Sequence, residues 1–140
     1  MNSNRIDIAA LVLRTTLGLV LVAHGLQKFL VFTLPGTAGF FASVGFPGWA
    51  AYIVAPLELV AGLALIAGWR ATLAALATLP VLLGATAVHA GNGWAFTSAH
   101  GGWEFPAVLV LLAAGVALLG EGAFSVRSLA AAKRLQPARA

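Results

Sequence analysis

The stretch that decides the fold is residues 8–31, which read IAALVLRTTLGLVLVAHGLQKFLV. Arg14 and Lys28 are the only formally charged side chains in this run of apolar and small residues. A helix of about 20 predominantly apolar residues is long enough to cross the hydrocarbon core of a bilayer. We therefore expect residues 8–31 to form a transmembrane helix.

Three further apolar runs of similar length follow, at residues 50–68, 72–90 and 104–121. Hydrophobic residues make up 61% of the chain and charged residues 9%, whereas soluble domains carry charge on about a quarter of their residues. This composition excludes a soluble globular domain, because so small a domain would have too little polar surface to face water. The sequence predicts one all-α domain over residues 1–140, a polytopic membrane four-helix bundle with a basic tail at residues 122–140.

The positions of the basic residues indicate how the bundle is oriented. Arg5 precedes the first run, Arg70 separates the second from the third, and the tail carries Arg127, Lys133, Arg134 and Arg139. The connections at residues 32–49 and 91–103 contain no Lys or Arg. Because basic residues concentrate in cytoplasmic loops, we expect both termini to be cytoplasmic, in the inner membrane of a bacterial-type cell. The eight Lys and Arg form no basic stripe, so no nucleic-acid partner is expected.

Aromatic residues are concentrated toward the predicted outer side, whereas only Trp69 and Phe124 lie toward the inner side. An interfacial belt would place aromatic rings at both faces. The asymmetry therefore suggests an aromatic cap over the outer end, to which the apolar, Gly- and Pro-containing connection at 32–49 contributes by lying on or dipping into the interface. The outer aromatic residues are Phe29, Phe32, Phe40, Phe41, Phe46, Trp49, Tyr52, Trp94, Phe96, Trp103 and Phe105.

Polar residues within the spans are the candidate functional residues, because a charge at mid-membrane costs roughly 2.5 to 3.5 kcal/mol unless it snorkels or finds a partner. In the second span, Glu58 is the only acid on a face of apolar and small residues, and it requires an internal partner. In the first span, one face carries both cations together with small residues that allow close helix approach. That face comprises Asp7, Leu11, Arg14, Gly18, Leu21, Gly25 and Lys28.

Depth indicates which of these residues can meet. At 1.5 Å per residue, His24 and Glu58 both lie roughly 10 to 12 Å below the outer surface. Lys28, His89 and Glu104 lie nearer that surface, so the outer half is expected to hold a cluster of all five residues. Such a cluster either fixes helix order and register or forms a binding site, and both interpretations remain open.

Arg14 is separate from the outer cluster. It lies in the inner half, where snorkelling, pairing with Asp7 or Glu121, and binding of a lipid phosphate are the alternatives. The sequence contains no closely spaced pair of histidines of the kind that binds a metal ion, so no metal site is predicted. The chain contains no cysteine, which excludes thiol chemistry and thiolate ligands from its own residues.

A set of short motifs follows in order along the chain, beginning with LRTTLGLVLVAHGLQKF at residues 13–29, GFF at 39–41, GFP at 45–47 and PLELVAG at 56–62. It continues with GWR at 68–70, HAG at 89–91 and GWEFP at 102–106. This ordered set resembles the DoxX family of small membrane proteins. The resemblance implies a four-helix inner-membrane protein that acts as a subunit or partner of membrane oxidoreductases, among them thiosulfate:quinone oxidoreductase.

A membrane quinone is the candidate cofactor, because a quinone needs hydrogen-bonding groups at its head and an apolar slot for its tail. In this hypothesis His24 and Glu58 exchange protons, and Lys28 and Glu104 position the ligand. His89, Tyr52 and Trp103 are further candidate contacts. Expected partners are the lipid membrane, redox proteins or a larger membrane complex, and a second copy of the chain. The alternatives are a nonenzymatic accessory or scaffold subunit, a carrier or chaperone for a lipid-like molecule, and, less favoured, ion transport; whether the chain is itself an enzyme stays open.

Overall fold

The computed structural model describes residues 3–126 and 128, and this part of the chain is helical without any strand. Its α-helices are α1 (Ser3–Leu30), α2 (Leu34–Ser43), α3 (Ala51–Ala67), α4 (Ala71–His89) and α5 (Glu104–Leu119). Short 3-10 turns at Gly48–Ala50 and Ala90–Asn92 precede α3 and follow α4. The predicted all-α class is confirmed. Arg127 and residues 129–140, which include all four cations of the predicted basic tail, lie outside the described residues.

Three of the helical segments are long and apolar enough to cross a membrane. They are Asn4–Leu30, Gly48–Ala67 and Ala71–Asn92, with 27, 20 and 22 residues. Helix α5 is also apolar but has 16 residues. The observed helices α1, α3, α4 and α5 coincide with the four predicted runs, and their ends differ from the predicted ends by five residues or fewer.

Helix α2 lies within the connection that was expected to rest on the membrane interface. Its start is defined by Thr33, whose Oγ1 accepts a hydrogen bond from the Gly36 amide at 3.3 Å. Pro35 lies in the first turn, where its missing N–H removes no helical hydrogen bond. The Thr37 hydroxyl donates to the Thr33 carbonyl at 2.9 Å, so side chains next to and within the first turn of α2 stabilise that turn.

The helices pack as two pairs, α1 with α3 and α4 with α5. At the centre of the first pair, a Cβ added to Gly18 would lie 2.7 Å from the Gly62 carbonyl oxygen. A Cβ added to Gly62 would lie 2.8 Å from the Gly18 carbonyl oxygen. The two backbones are therefore in direct contact, as small residues at helix interfaces in membranes permit.

The two pairs are joined by the tight turn between α3 and α4, where Gly68 ends α3 with a left-handed φ of 67°. We call this end of the bundle the Arg14 end and the opposite end, which carries α2, the α2 end. At the Arg14 end the Ala123 amide also donates to the Asp7 carbonyl at 3.0 Å, which ties the segment after α5 to the start of α1. The buried apolar core runs from the middle of the bundle toward this end and comprises Leu17, Leu21, Ala61, Leu65, Ala71, Ala74, Ala75, Leu82, Leu109, Ala113 and Val116.

Candidate functional site

A cavity of about 880 Å³ lies at the α2 end, between the α1–α3 pair and the α4–α5 pair. Helix α2 and the segment after it cover one side of this cavity with aromatic rings. Its walls are mostly apolar, and a small number of polar side chains reach it. The apolar lining includes Val20, Leu21, Phe32, Phe40, Phe41, Val44, Phe46, Val54, Pro80, Val81, Leu82, Val88, Phe105, Pro106 and Leu109.

An ion pair between α1 and α3 lines this cavity. Lys28 Nζ donates to Glu58 Oε2 at 2.7 Å, and the two side chains are only 16% and 7% exposed. The pair supplies the internal partner that the sequence required for Glu58. Since each charge compensates the other, the pair adds no net charge to an apolar cavity.

His24 lies one helical turn before Lys28 and lines the same cavity. Its ring faces that of Phe105 on α5, with 6.1 Å between the ring centroids. The equal depth of His24 and Glu58 suggested that these two would meet, but Glu58 is hydrogen-bonded to Lys28 instead. Within the described residues, the His24 ring has no hydrogen-bond partner.

His89 reaches the cavity from the last turn of α4. Its Nδ1 lies 3.0 Å from the carbonyl oxygen of Gly101, in the connection between α4 and α5. Asn92 Nδ2 donates to the carbonyls of His100 at 3.2 Å and Gly101 at 3.1 Å. The ring is therefore held against the connecting loop along one edge.

The other candidate residues at this end of the bundle do not line the cavity. Glu104 accepts a hydrogen bond from the Phe96 amide at 2.8 Å, so it holds the α4–α5 connection. Trp103 packs edge-on against Trp94, with their ring centroids 4.6 Å apart. Tyr52 is 51% exposed on the outside of α3. The structure thus brings together His24, Lys28, Glu58 and His89 of the predicted set and places the remaining three elsewhere.

Arg14 is fully buried and far from the cavity lining. Its guanidinium donates to the carbonyls of Leu65 and Ile66 at the end of α3, at 2.6 Å each. It also donates to the carbonyls of Glu121 at 2.8 Å and Ala123 at 3.0 Å, beyond the end of α5. These acceptors belong to the backbone of the protein, and they join α1, α3 and the segment after α5.

Gln27 is a polar cavity residue that sequence reasoning did not single out. It lies one turn after His24 on α1, and that helical spacing is the signal that indicates it. Within residues 3–126 and 128, no group of three His, Asp or Glu side chains is arranged to hold a metal ion.

Comparison with known proteins gives a match to the DoxX family model over residues 9–91, more than half of the chain. The chain belongs to the DoxX family. It is also 34% identical over 79 residues to "Putative oxidoreductase CatD" of Bacillus subtilis (strain 168). The aligned region is 56% of this chain and 58% of that relative. No solved structure matches the chain at a significant level.

The DoxX match spans α1 to α4 and includes His24, Lys28, Glu58 and His89, the four ionisable residues that line the cavity. It ends at residue 91, at the start of the α4–α5 connection, and does not include α5. The cavity surface contributed by Phe105, Pro106 and Leu109 therefore lies outside the matched part of this DoxX chain.

Proposed function

We propose that this DoxX protein binds a membrane quinone in the cavity at the α2 end and takes part in a quinone-linked oxidoreduction as a membrane subunit. The observation that carries the proposal is the combination of an apolar cavity of about 880 Å³ with a buried Lys28–Glu58 ion pair in its wall. This volume lies in the range of small-molecule sites, which join mostly apolar walls to a few placed polar groups. The name of the Bacillus subtilis relative, "Putative oxidoreductase CatD", agrees with this class of function.

Each polar residue has a role in this proposal. Lys28 Nζ spends one hydrogen bond on Glu58, so its remaining N–H groups are available to an oxygen atom of the quinone head. Glu58 and His24 exchange protons with the bound head. The aromatic rings of Phe40, Phe41 and Phe46 pack against the quinone ring, and the gap between the helix pairs accepts the apolar tail.

Electrons reach the quinone from a redox partner in this proposal, because thiol chemistry is excluded for a chain without cysteine. The reaction would therefore be completed in a larger membrane complex. The electron donor would be another protein of that complex, and the DoxX chain would supply the quinone site.

The same proposal places four spans in a bacterial-type inner membrane, with both termini in the cytoplasm. Helix α5 is short, but it extends along most of α4. Near its start the Glu104 amide donates to the carbonyl of Trp94 in the α4–α5 connection, and near its end Thr72 Oγ1, in the first turn of α4, donates to the Ala117 carbonyl at 3.3 Å. This antiparallel contact supports α5 as the fourth span.

The orientation can be tested with single cysteines, because the chain has none of its own. Asn4→Cys and Thr97→Cys place one thiol at each end of the bundle, on exposed residues. A membrane-impermeant maleimide should label Thr97→Cys in intact cells and Asn4→Cys only after the membrane is opened. The reverse labelling pattern would place the termini outside the cytoplasm.

The quinone site can be tested by mass spectrometry of small molecules extracted from protein purified in native lipid. The parent is compared with Glu58→Gln/His24→Ala and with a control, Glu104→Gln/His100→Asn, that changes an acid and a histidine outside the cavity. The thermal unfolding of all three proteins is measured first, so that only folded samples are compared.

A quinone enriched in the parent and the control but lost from the cavity variant would support the proposal. Bulk lipid alone in all three samples would contradict it and would favour an accessory subunit. Another hydrophobic molecule that is lost only from the cavity variant would favour a carrier.

A further inference from the structure

The proton on the His89 ring is placed by its partner in the α4–α5 connection. Nδ1 lies 3.0 Å from the Gly101 carbonyl oxygen, and a carbonyl oxygen can only accept a hydrogen bond. Asn92 Nδ2 also lies 3.5 Å from Nδ1, but its two N–H groups are donated to the nearer carbonyls of His100 and Gly101. The contact with Gly101 therefore favours the tautomer that carries the proton on Nδ1, and in the neutral form of that ring Nε2 has an unprotonated lone pair.

The Gly101 carbonyl is itself held in place. His100 and Gly101 both adopt left-handed backbone conformations, with φ of 66° and 77°. Asn92 Nδ2 donates to the carbonyls of both residues, at 3.2 and 3.1 Å. A carbonyl oxygen has two lone pairs, so Gly101 can accept from Asn92 and His89 together. This network fixes the tautomer of His89.

The ring contacts the loop along the edge that carries Nδ1 and Cε1. A Cβ added to Gly101 would lie 3.5 Å from both Nδ1 and Cε1 of His89, so this edge faces the loop. His89 lines the cavity, and no donor among residues 3–126 and 128 is hydrogen-bonded to its Nε2. The structure thus holds a candidate acceptor nitrogen in the lining of a mostly apolar cavity.

We propose that His89 Nε2 accepts a hydrogen bond from a ring hydroxyl of the ligand, so that the cavity prefers the quinol over the quinone. This inference rests on the proposed quinone site and names the form that the site favours. A quinone carbonyl has no hydrogen to donate and would leave the Nε2 lone pair facing an oxygen lone pair. Lys28 Nζ, which retains N–H groups beyond its bond to Glu58, serves the other oxygen of the ring in either form.

The inference is tested with a decyl-substituted benzoquinol, the matching quinone and the quinol dimethyl ether, measured without oxygen. The ether keeps the ring and the tail but cannot donate a hydrogen bond. Because an acceptor left without a donor weakens binding, the quinol should bind at least about fivefold more tightly than the ether or the quinone. His89→Phe should reduce both ratios to about one, whereas His100→Asn, on the exposed face of the same loop, should preserve them.

Nitrogen NMR of imidazole-labelled protein gives a second readout on the unsubstituted chain, which has three histidines. The signals are assigned by elimination with His24→Gln and His100→Asn, so that the measurement does not depend on the folding of a His89 variant. Nε2 of His89 should show the shift of an unprotonated nitrogen. That signal should move when the quinol is added and stay in place with the ether.

The experiment distinguishes failure of the His89 role from failure of the proposed quinone site. Equal binding of quinol, quinone and ether, or a protonated Nε2 in the neutral ring, would overturn the role of His89 while the quinone site stands. Binding of none of the three compounds would remove the quinone site and this inference with it.

Discussion

Helix α1 carries one cation shielded from solvent at each end of the bundle, Arg14 and Lys28, and the surroundings of the two differ. Arg14 is completely buried and spends its donors on four backbone carbonyls. Lys28 has one carboxylate partner, Glu58, and lies beside a cavity. The N–H groups of Arg14 are bonded to the protein's own backbone, so this charge stabilises the bundle. Lys28 Nζ has N–H groups beyond its bond to Glu58, so this charge can also bind a ligand.

The largest expected effect is that of removing the guanidinium with Arg14→Leu. Four carbonyls would lose the hydrogen bond from the guanidinium together, and of these Leu65 keeps one from the Gly68 amide. Each hydrogen bond to a charged group contributes about 1.5–3 kcal/mol. We expect a loss of at least about 3 kcal/mol in the free energy of unfolding in detergent. Arg5→Leu changes an exposed arginine near the same end and should have little effect. Equal stability of the two variants would mean that the carbonyl network does not hold the bundle together.

A smaller effect is expected at the α2 end from Glu58→Leu, which leaves Lys28 beside an apolar cavity without its partner. Removing one partner of a fully buried pair costs about 3–5 kcal/mol. Because the Lys28 side chain is 16% exposed, we expect a smaller loss, about 2 kcal/mol, in the free energy of unfolding. The double variant Lys28→Met/Glu58→Leu should recover most of this loss, because buried ion pairs can be replaced by apolar residues at little cost. It should also lose the ligand. A double variant less stable than Glu58→Leu alone would show that the ion pair is needed for folding.

The contact between α1 and α3, midway between the two ends, gives a third comparison. Gly18→Ala would place a Cβ 2.7 Å from the Gly62 carbonyl oxygen and force the helices apart, whereas Gly115 on α5 has open space around it. We expect about 1–2 kcal/mol of destabilisation for Gly18→Ala. Gly115→Ala should be neutral or slightly stabilising, because alanine favours helix. Thermal unfolding in detergent is the measurement, and similar results for the two variants would argue against a close helix contact.

The smallest effect concerns the start of α2. Thr33→Ala removes the side-chain acceptor of the Gly36 amide, an exposed bond of 3.3 Å, and should cost about 0.5 kcal/mol locally. Amide hydrogen exchange should quicken in residues 34–43 and stay unchanged in α4. Faster exchange throughout the chain would instead show that α2 is coupled to the whole bundle.

Much of the fold was predictable because long apolar runs admit few alternatives in a membrane. Helices α1, α3, α4 and α5 coincide with such runs. Helix α2 was not predicted as a helix, since Pro35, Gly36 and Gly39 are typical of turns. The proline falls in the first helical turn and Thr33 supplies the cap, which are local details that hydropathy does not reveal.

The sequence predicts the depth of each site residue in the membrane, but it does not predict which side chains at that depth contact one another. The rise per residue puts His24, Lys28 and Glu58 in the same half of the bundle. Which cation contacts Glu58 depends on side-chain length and on helix rotation. The position of Glu104 depends on the fold of the connection at residues 90–103, which has no regular period, and there the carboxylate turned to the Phe96 amide.

The buried guanidinium of Arg14 also makes the cavity less accessible to protons from one end of the bundle than from the other. A hydrated proton approaching the cavity from the Arg14 end would have to pass a fixed positive charge and a packed apolar core. Positive charges of this kind exclude protons and cations from membrane pores. In the proposed function, protons that His24 and Glu58 exchange with the ligand would therefore pass through the α2 end, so turnover would acidify or alkalinise one side of the membrane only.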